Sequence, residues 1–483
     1  MYIVQIGSEL APVAKVGGLA DVMMGLSREL KWKGNEVAIF LPKYGCLEQK
    51  GLTFQKEPIH FQSYFDGMKW DNLAHKAQLG PDLAITFIDP HHPANFFGRD
   101  QIYGFSDDAE RFLYFSRACL DFLAKSAKKP DIIHIHDWET APIALLLKEK
   151  EFQKIFPHTK CVLTIHNMEY QGHVEPQKLD LIGYKSPKEP LMQGDVANLL
   201  KGGITFADAV VTVSPTYAQE VLTEIGSCGL AETLKARNHN FCGILNGLDY
   251  TYWNPEIDPL IDCHFSKDSL ENKRVNKEAM LSGLGFSKKQ DFPFIASISR
   301  LVPQKGIELL KYAAQQAKEL NFYYVILGTT YDPQTQNEFL ELQKEYSAGN
   351  NVRIILKSSE PFAHKLYAAS DMFLVPSMFE PCGLTQIIAL KYGSVPIVRK
   401  TGGLADTVFD IEYSGRPFEQ TNGFSFDFPD TEGVDFVLKR ALSLYNSDKK
   451  RWNMLIKQGM AEDHSWNKPA DQYLAIYSRI KAG

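Results

Sequence analysis

The chain of 483 residues is short of the features that narrow a role quickly. Its seven cysteines are an odd, scattered set without a CxxC pair. That excludes a disulfide framework and a structural zinc ribbon, and it favours a reducing compartment such as the cytoplasm. No apolar run approaches the roughly 18 residues that span a bilayer. The N-terminus, MYIVQIGSEL, has no basic region and no signal-like apolar block, and reads directly as a first strand. Excess positive charge is missing too: the net charge is −6, so nucleic acid and anionic membranes are not expected partners. There is no low-complexity tract and no repeat at the period of about 20–50 residues that marks a solenoid. The one GxG, at 283–285, follows no strand, which argues against a dinucleotide-binding dehydrogenase.

What is present is alternation. Candidate strands fall at 2–6, 36–41, 83–88, 131–135, 161–165, 210–214 and 242–245, and again at 294–299, 322–327, 352–356, 372–376 and 395–398. Helical patterns separate most of them, and the strand centres are nearly continuous in Val, Ile and Leu. This is the signature of parallel strands buried on both faces. The expected fold is α/β, with two Rossmann-like doubly wound domains facing across a cleft. The alternation lapses between Asp249 and Phe292, where YWNPEIDP and KDSLENKRVNKE supply turn residues and charge. The expected boundaries are therefore a first domain at 1–248, a linker with a surface helix at 249–291, and a second domain at 292–465. A final helix, 466–483, is expected to cross back to the first domain.

One octapeptide occurs twice. KVGGLADV at 15–22 and KTGGLADT at 400–407 agree at six positions, each after a strand and at the start of a helix. A tight turn alone requires glycine but neither Lys nor Asp. Two related domains, each carrying the loop at its ligand-binding edge, account for both copies. The first is expected to touch an anion, and the second to shape the cleft wall and the hinge.

Ligands of open α/β sheets bind beyond the carboxyl ends of the strands, and the unusual polar residues gather there. Lys15, Gly17 and Gly18 follow the first strand; Asp137 and Glu139 follow DIIHIH; His166 follows CVLTI; Asn246 follows CGIL. In the second half Arg300 and Lys305 follow FIASIS, while Glu380, Cys382 and Gly383 follow MFLVP. Arg300 offers a bidentate fork and Lys305 a point charge to one anion. Gly383, Leu384 and Thr385 open a helix whose free amides suit a phosphate. A diphosphate leaving group needs such preorganised donors, and Glu380 suits sugar hydroxyls or a cationic anomeric carbon. His134 and His136 share one face of a strand with no third ligand, so they read as partly buried histidines bonded to the backbone and not as a metal site. The aromatics of HPANFFGRDQIYG, Tyr103 included, either stack on sugar rings or pack a loop.

Together these motifs resemble the glycogen and starch synthases, retaining glycosyltransferases of the two-Rossmann GT-B architecture. The resemblance runs through ELAPVAKVGGLADV, HIHDWETAP, TIHNMEYQG, GILNGLDYTYWNPEIDP, SRLVPQKG, PSMFEPCGLTQ, VRKTGGLADTV and TNGF. HPANFF, YFSRA and RLVPQKG look especially like the class IV starch synthases. The resemblance implies transfer of glucose from ADP-glucose to the 4-hydroxyl at a non-reducing end of an α-1,4-glucan, without metal or other cofactor. It places Lys15 and the Gly17–Gly18 backbone on the donor diphosphate with Arg300 and Lys305. It places His166 under the donor sugar, at its 6-hydroxyl, and Glu380 on the glucose, with Cys382 beside it. Leu384 and Thr385 would hold the distal phosphate, and Asn246 would line the sugar pocket. Asp21 would hold the Lys15 loop or belong to the acceptor side, with Tyr103, Asp137 and Glu139. Three positions depart from the family pattern. Glu139 stands where bacterial members usually carry His, Ser358 where an adenine-stacking aromatic is expected, and Ile388 where a broader pattern has a second glutamate. A glucan phosphorylase would need a pyridoxal-phosphate lysine and a longer chain. A non-catalytic glucan-binding protein would have no use for the cations at 15, 300 and 305.

Overall fold

The computed structural model describes residues 1–47, 52–80, 83–286, 291–346, 351–357 and 359–482. Ser358, singled out above, lies outside them. The chain divides into two compact units, 1–247 with 465–483, and 248–464.

The first unit is built on strands β1 (Tyr2–Ile6), β2 (Glu36–Pro42), β3 (Leu52–Phe54), β4 (Ile59–Phe65), β5 (Met68–Leu79), β6 (Leu83–Pro90), β7 (Ile132–His136), β8 (Lys160–Ile165), β9 (Ala209–Thr212) and β10 (Phe241–Gly243). Their order is β10-β9-β8-β7-β1-β2-β6-β5-β3, with β4 paired to β5. From β10 to β6 every pairing is parallel. Beyond β6 the sheet turns antiparallel, a departure from the all-parallel reading. The hairpin of β4 and β5 had a sequence signal, because Asp66-Gly67 joins two half-alternating runs. Both turn residues adopt positive φ, 51° and 75°, as a type I′ turn requires. A separate three-stranded ribbon is formed by His173–Val174, Met192–Gln193 and Val196–Asn198.

The helix Asn467–Ala482 packs into this unit: Trp466, Ala470, Tyr473, Ile476, Tyr477 and Ile480 share a core with Ile3, Val22, Leu26, Ile132, Val162 and Val211. Gly25 and Gly247 are small because Trp466 sits where their side chains would be.

The second unit carries β11 (Phe294–Arg300), β12 (Tyr323–Thr329), β13 (Val352–Ile355), β14 (Met372–Val375), β15 (Val395–Arg399) and β16 (Phe424–Phe426). They form an all-parallel sheet, β13-β12-β11-β14-β15-β16. The segment 249–291, expected as a linker, belongs to this unit. Its apolar residues Trp253, Ile261, Phe265, Met280 and Phe286 are buried in the second core, which the density of charge around them obscures.

Among the parallel strands of each sheet the order reverses once, at β1 between β7 and β2, and at β11 between β12 and β14. Loops at such a switch diverge and leave a crevice at the carboxyl ends of the strands. The loops after β1, β7, β11 and β14 carry most of the singled-out residues, with His166 after β8 and Asn246 after β10.

Candidate active site

In the first unit the site is organised by a residue that the sequence reading passed over, Glu9. Its carboxylate accepts from the amides of Val16 and Gly17, both at 2.7 Å, and from the Tyr103 hydroxyl at 2.9 Å. The loop from Lys15 to Gly18 is thus pinned from beneath, and Gly18 opens the helix Gly18–Trp32. Burial raises the Glu9 carboxyl above its usual range, although the two amides and Tyr103 pull it back. Lys15 is paired with Asp21 at 2.8 Å, so Asp21 holds the loop's cation in place. Nothing lies closer than 4.0 Å to where a Gly17 side chain would start, which leaves its outer face open to a ligand.

Tyr103 also meets Ser8, at 2.7 Å, and its ring lies against Phe112. Phe96 and Phe97 are buried, with His92 stacked on Phe96 at 4.4 Å. Of the two readings of that aromatic stretch, packing is what Phe96 and Phe97 do.

Asp137 follows β7 in a left-handed conformation, φ 56°, and its carboxylate accepts from the His166 amide at 2.6 Å. The strained backbone aims the carboxylate across to the end of β8. Burial, with the Glu9 charge adding to it, moves Asp137 up to about 7. Glu139 is buried, one carboxylate oxygen is unpartnered among the described residues, and burial beside Asp137 pushes its pKa well up.

The histidines differ from the sequence reading. His134 and His136 are fully buried and bonded to side chains, not to the backbone. His134 contacts Thr164 at 2.7 Å and Tyr477 at 2.7 Å, and His136 contacts Gln5 at 2.8 Å and His166 at 3.0 Å. Burial lowers His134 and His166 to about 3 and His136 well below its ordinary value, so all three are neutral. Asn246 stands apart from this network, half-buried, with its Oδ1 unpartnered among the described residues.

In the second unit Arg300 ends β11 with an exposed side chain, and Lys305 closes the turn Pro303–Lys305. Lys305 donates to both oxygens of Glu380, at 2.8 and 2.6 Å, and Ser377 donates to one of them at 2.8 Å. Cys382 is buried, Gly383 takes a positive φ of 74°, and Leu384 and Thr385 lead into the helix Thr385–Lys391. The first amides of that turn have no intrahelical acceptor and are free for an anion by construction.

The second glycine loop lies behind this segment. The Gly403 amide donates to the Glu380 carbonyl at 3.0 Å, and a side chain at 403 would begin 2.1 Å from the Cys382 carbonyl oxygen. Arg399 donates to the carbonyls of Ser377, at 2.7 Å, and Met378. Gln386 ties Cys382 and Gly383 to Thr407. Among the described residues no group of three or more His, Cys, Asp or Glu is placed to hold a metal ion.

The second unit thus gathers cations and the amides of a helix start, and the first a pinned glycine loop beside buried histidines and carboxyl groups. Comparison with known proteins agrees. Residues 2–236 match the starch synthase catalytic domain, and residues 285–458 match glycosyl transferases group 1. A glycogen synthase of Protochlamydia amoebophila is 45% identical over 500 residues, covering 100% of both chains. A probable starch synthase 4, chloroplastic/amyloplastic, of Arabidopsis thaliana is 44% identical over 490 residues, 99% of this chain and 47% of that protein. The solved catalytic domain of starch synthase IV from Arabidopsis thaliana, bound to ADP and acarbose, superposes with a TM-score of 0.96 at 43% identity, covering 100% of this chain and 99% of that one.

Proposed function

The chain belongs to the glycogen and starch synthase family of glycosyltransferases, and we propose that it transfers glucose from ADP-glucose to the non-reducing 4-hydroxyl of an α-1,4-glucan, releasing ADP. The observation that carries the donor half is the Lys305–Glu380 pair beside Arg300 and the free amides of 383–385. Two of the three Lys305 N–H groups are engaged by Glu380, and the third remains for a phosphate oxygen. In the second unit Arg300 and Lys305 hold the diphosphate and Leu384 and Thr385 its distal phosphate; in the first, Lys15 and the Gly18 backbone are the donors, because the Gly17 amide, expected there from the sequence, is already given to Glu9. As the anomeric C–O bond breaks, its electron pair passes to the diphosphate, where these groups stabilise it by about 3–4 kcal/mol each.

Taken unit by unit, Glu380 and Cys382 of the second serve the glucose, while in the first Asn246 and His166 serve the glucose and Asp21, Tyr103, Asp137 and Glu139 the glucan. Retention follows a front-face route: the acceptor oxygen bonds to the anomeric carbon on the side the diphosphate leaves, and its proton passes to the departing phosphate. Support comes from the carboxylates themselves. Glu380 is engaged by Lys305 and Ser377, and Asp137 by the His166 amide, so neither is poised as a nucleophile. The cytoplasm is the compartment we infer, in keeping with seven cysteines of which none forms a disulfide; no helix among the described residues is long and apolar enough to cross a membrane.

The test is glucose transfer from ADP-glucose and from UDP-glucose, each with glycogen, maltotriose or no acceptor. Turnover of ADP-glucose onto glucan is the expected result. Transfer from UDP-glucose alone would move the donor assignment, and transfer from neither would overturn the reading.

A further inference from the structure

The histidines under the first unit's site form a directed chain that the transfer reaction does not by itself require. His166 Nε2 meets His136 Nδ1 at 3.0 Å, and His136 Nε2 meets the Gln5 carbonyl oxygen at 2.8 Å. His136 is fully buried and stacked on His134 at 4.4 Å, and His134 is locked by Thr164 and by Tyr477 of the C-terminal helix. A neutral imidazole carries one N–H. All three rings are neutral because burial disfavours their cations.

The direction then follows from the end of the chain. With the Gln5 amide turned this way, which leaves its Nε2 buried and unpartnered among the described residues, the carbonyl can only accept and His136 places its proton on Nε2. Its Nδ1 is left as a lone pair, which can only accept from His166. His166 therefore carries its proton on Nε2, facing inward. Its other nitrogen, Nδ1, has no partner among the described residues and is not buried from solvent. Turning the Gln5 amide over would reverse every bond and put a proton on His166 Nδ1, so one buried amide decides which face of the catalytic-site histidine a ligand meets.

We propose that Gln5 and His136 are positioning residues that fix His166 as a hydrogen-bond acceptor, so that the site selects a donor sugar whose 6-hydroxyl gives a proton to Nδ1. The assignment of that hydroxyl rests on the glucosyl-transfer reading above; the tautomer does not. A group at the 6-position that can accept but not donate, such as fluorine, gains nothing from this nitrogen, whereas a donor histidine would favour it over hydrogen.

Two measurements on the full-length protein test this. Long-range proton–nitrogen correlation spectra of histidine-labelled enzyme, with His166 assigned from His166→Gln, are expected to show its proton on Nε2. A proton on Nδ1, or a cation, would overturn the inference, and this readout needs no variant at Gln5 to fold. Kinetics then separate positioning from simple support. Gln5→Leu is expected to lower kcat/KM for ADP-glucose about tenfold, the worth of one well-placed hydrogen bond. It should leave kcat/KM for the 6-deoxy and 6-fluoro donors unchanged, and Gln5→Glu, which keeps an acceptor, should restore most of the loss. An equal loss with all three donors would mean a structural role and overturn the inference. If wild-type enzyme turned over none of them, the transfer reading would fail, and the tautomer spectrum alone would decide the rest.

Discussion

The two glycine loops share six of eight letters and do different work. The first is held at arm's length: Glu9 takes the amides of Val16 and Gly17 from below, and the outer face of Gly17 is open. The second is pressed flat, with Gly403 against the Cys382 carbonyl and its amide on the Glu380 carbonyl. Their carboxylates differ as well. Glu380 is neutralised by Lys305, whereas Glu9, Asp137 and Glu139 form no ion pair among the described residues and are moved upward by burial. A conserved-looking motif within one chain can thus supply ligand approach in one place and packing in another. The difference is set by what lies behind the loop.

That contrast can be broken at several points. The largest effect is expected from Lys305→Ala, which removes a diphosphate cation and strands Glu380. Turnover should fall about 100–1,000-fold in a steady-state assay while glucan affinity is kept. Gly403→Ala comes next, because backbone cannot yield to a contact of 2.1 Å. A loss of about 2–3 kcal/mol in denaturant unfolding is expected. Lys15→Ala should cost about tenfold to a hundredfold in kcat/KM for the donor and little stability, since its partner Asp21 is solvent-accessible.

A pH comparison follows. Asp137 binds its proton up to about 7 when folded, against an ordinary value of 3.8. The folded state therefore holds more protons across that window, and stability falls as pH rises through it. Relative to wild type, Asp137→Asn should gain stability as pH is raised from about 4 to about 7 in urea unfolding. The smallest effect belongs to Gly17→Ala, for which a stability change within about 0.5 kcal/mol is expected.

Much of this was legible in the sequence, and the limits have physical causes. Parallel strands such as FIASIS and FYYVIL declare themselves because burial on both faces leaves no room for polar residues. The β4–β5 hairpin is half-exposed, so its run is broken by polar residues, and only Asp66-Gly67 marks it. Residues at strand ends stood out because their types are unusual there; Arg300, Lys305, Glu380 and His166 were singled out this way. Glu9 was not, since its role depends on a carboxylate folding back under a loop eight residues on, which no spacing rule encodes. The same holds for Gln5 and His136, whose partners are 131 and 30 residues distant along the chain. The 249–291 segment misled because its buried aromatics are sparse among surface charges.

The most direct test of the contrast is differential scanning calorimetry of Gly17→Ala and Gly403→Ala, each with and without ADP. Gly403→Ala should melt lower than wild type without ligand. Gly17→Ala should melt with wild type when unliganded yet gain less from ADP. If both variants lost the same unliganded stability, or if Gly17→Ala kept the full gain from ADP, the two loops would not be doing different work.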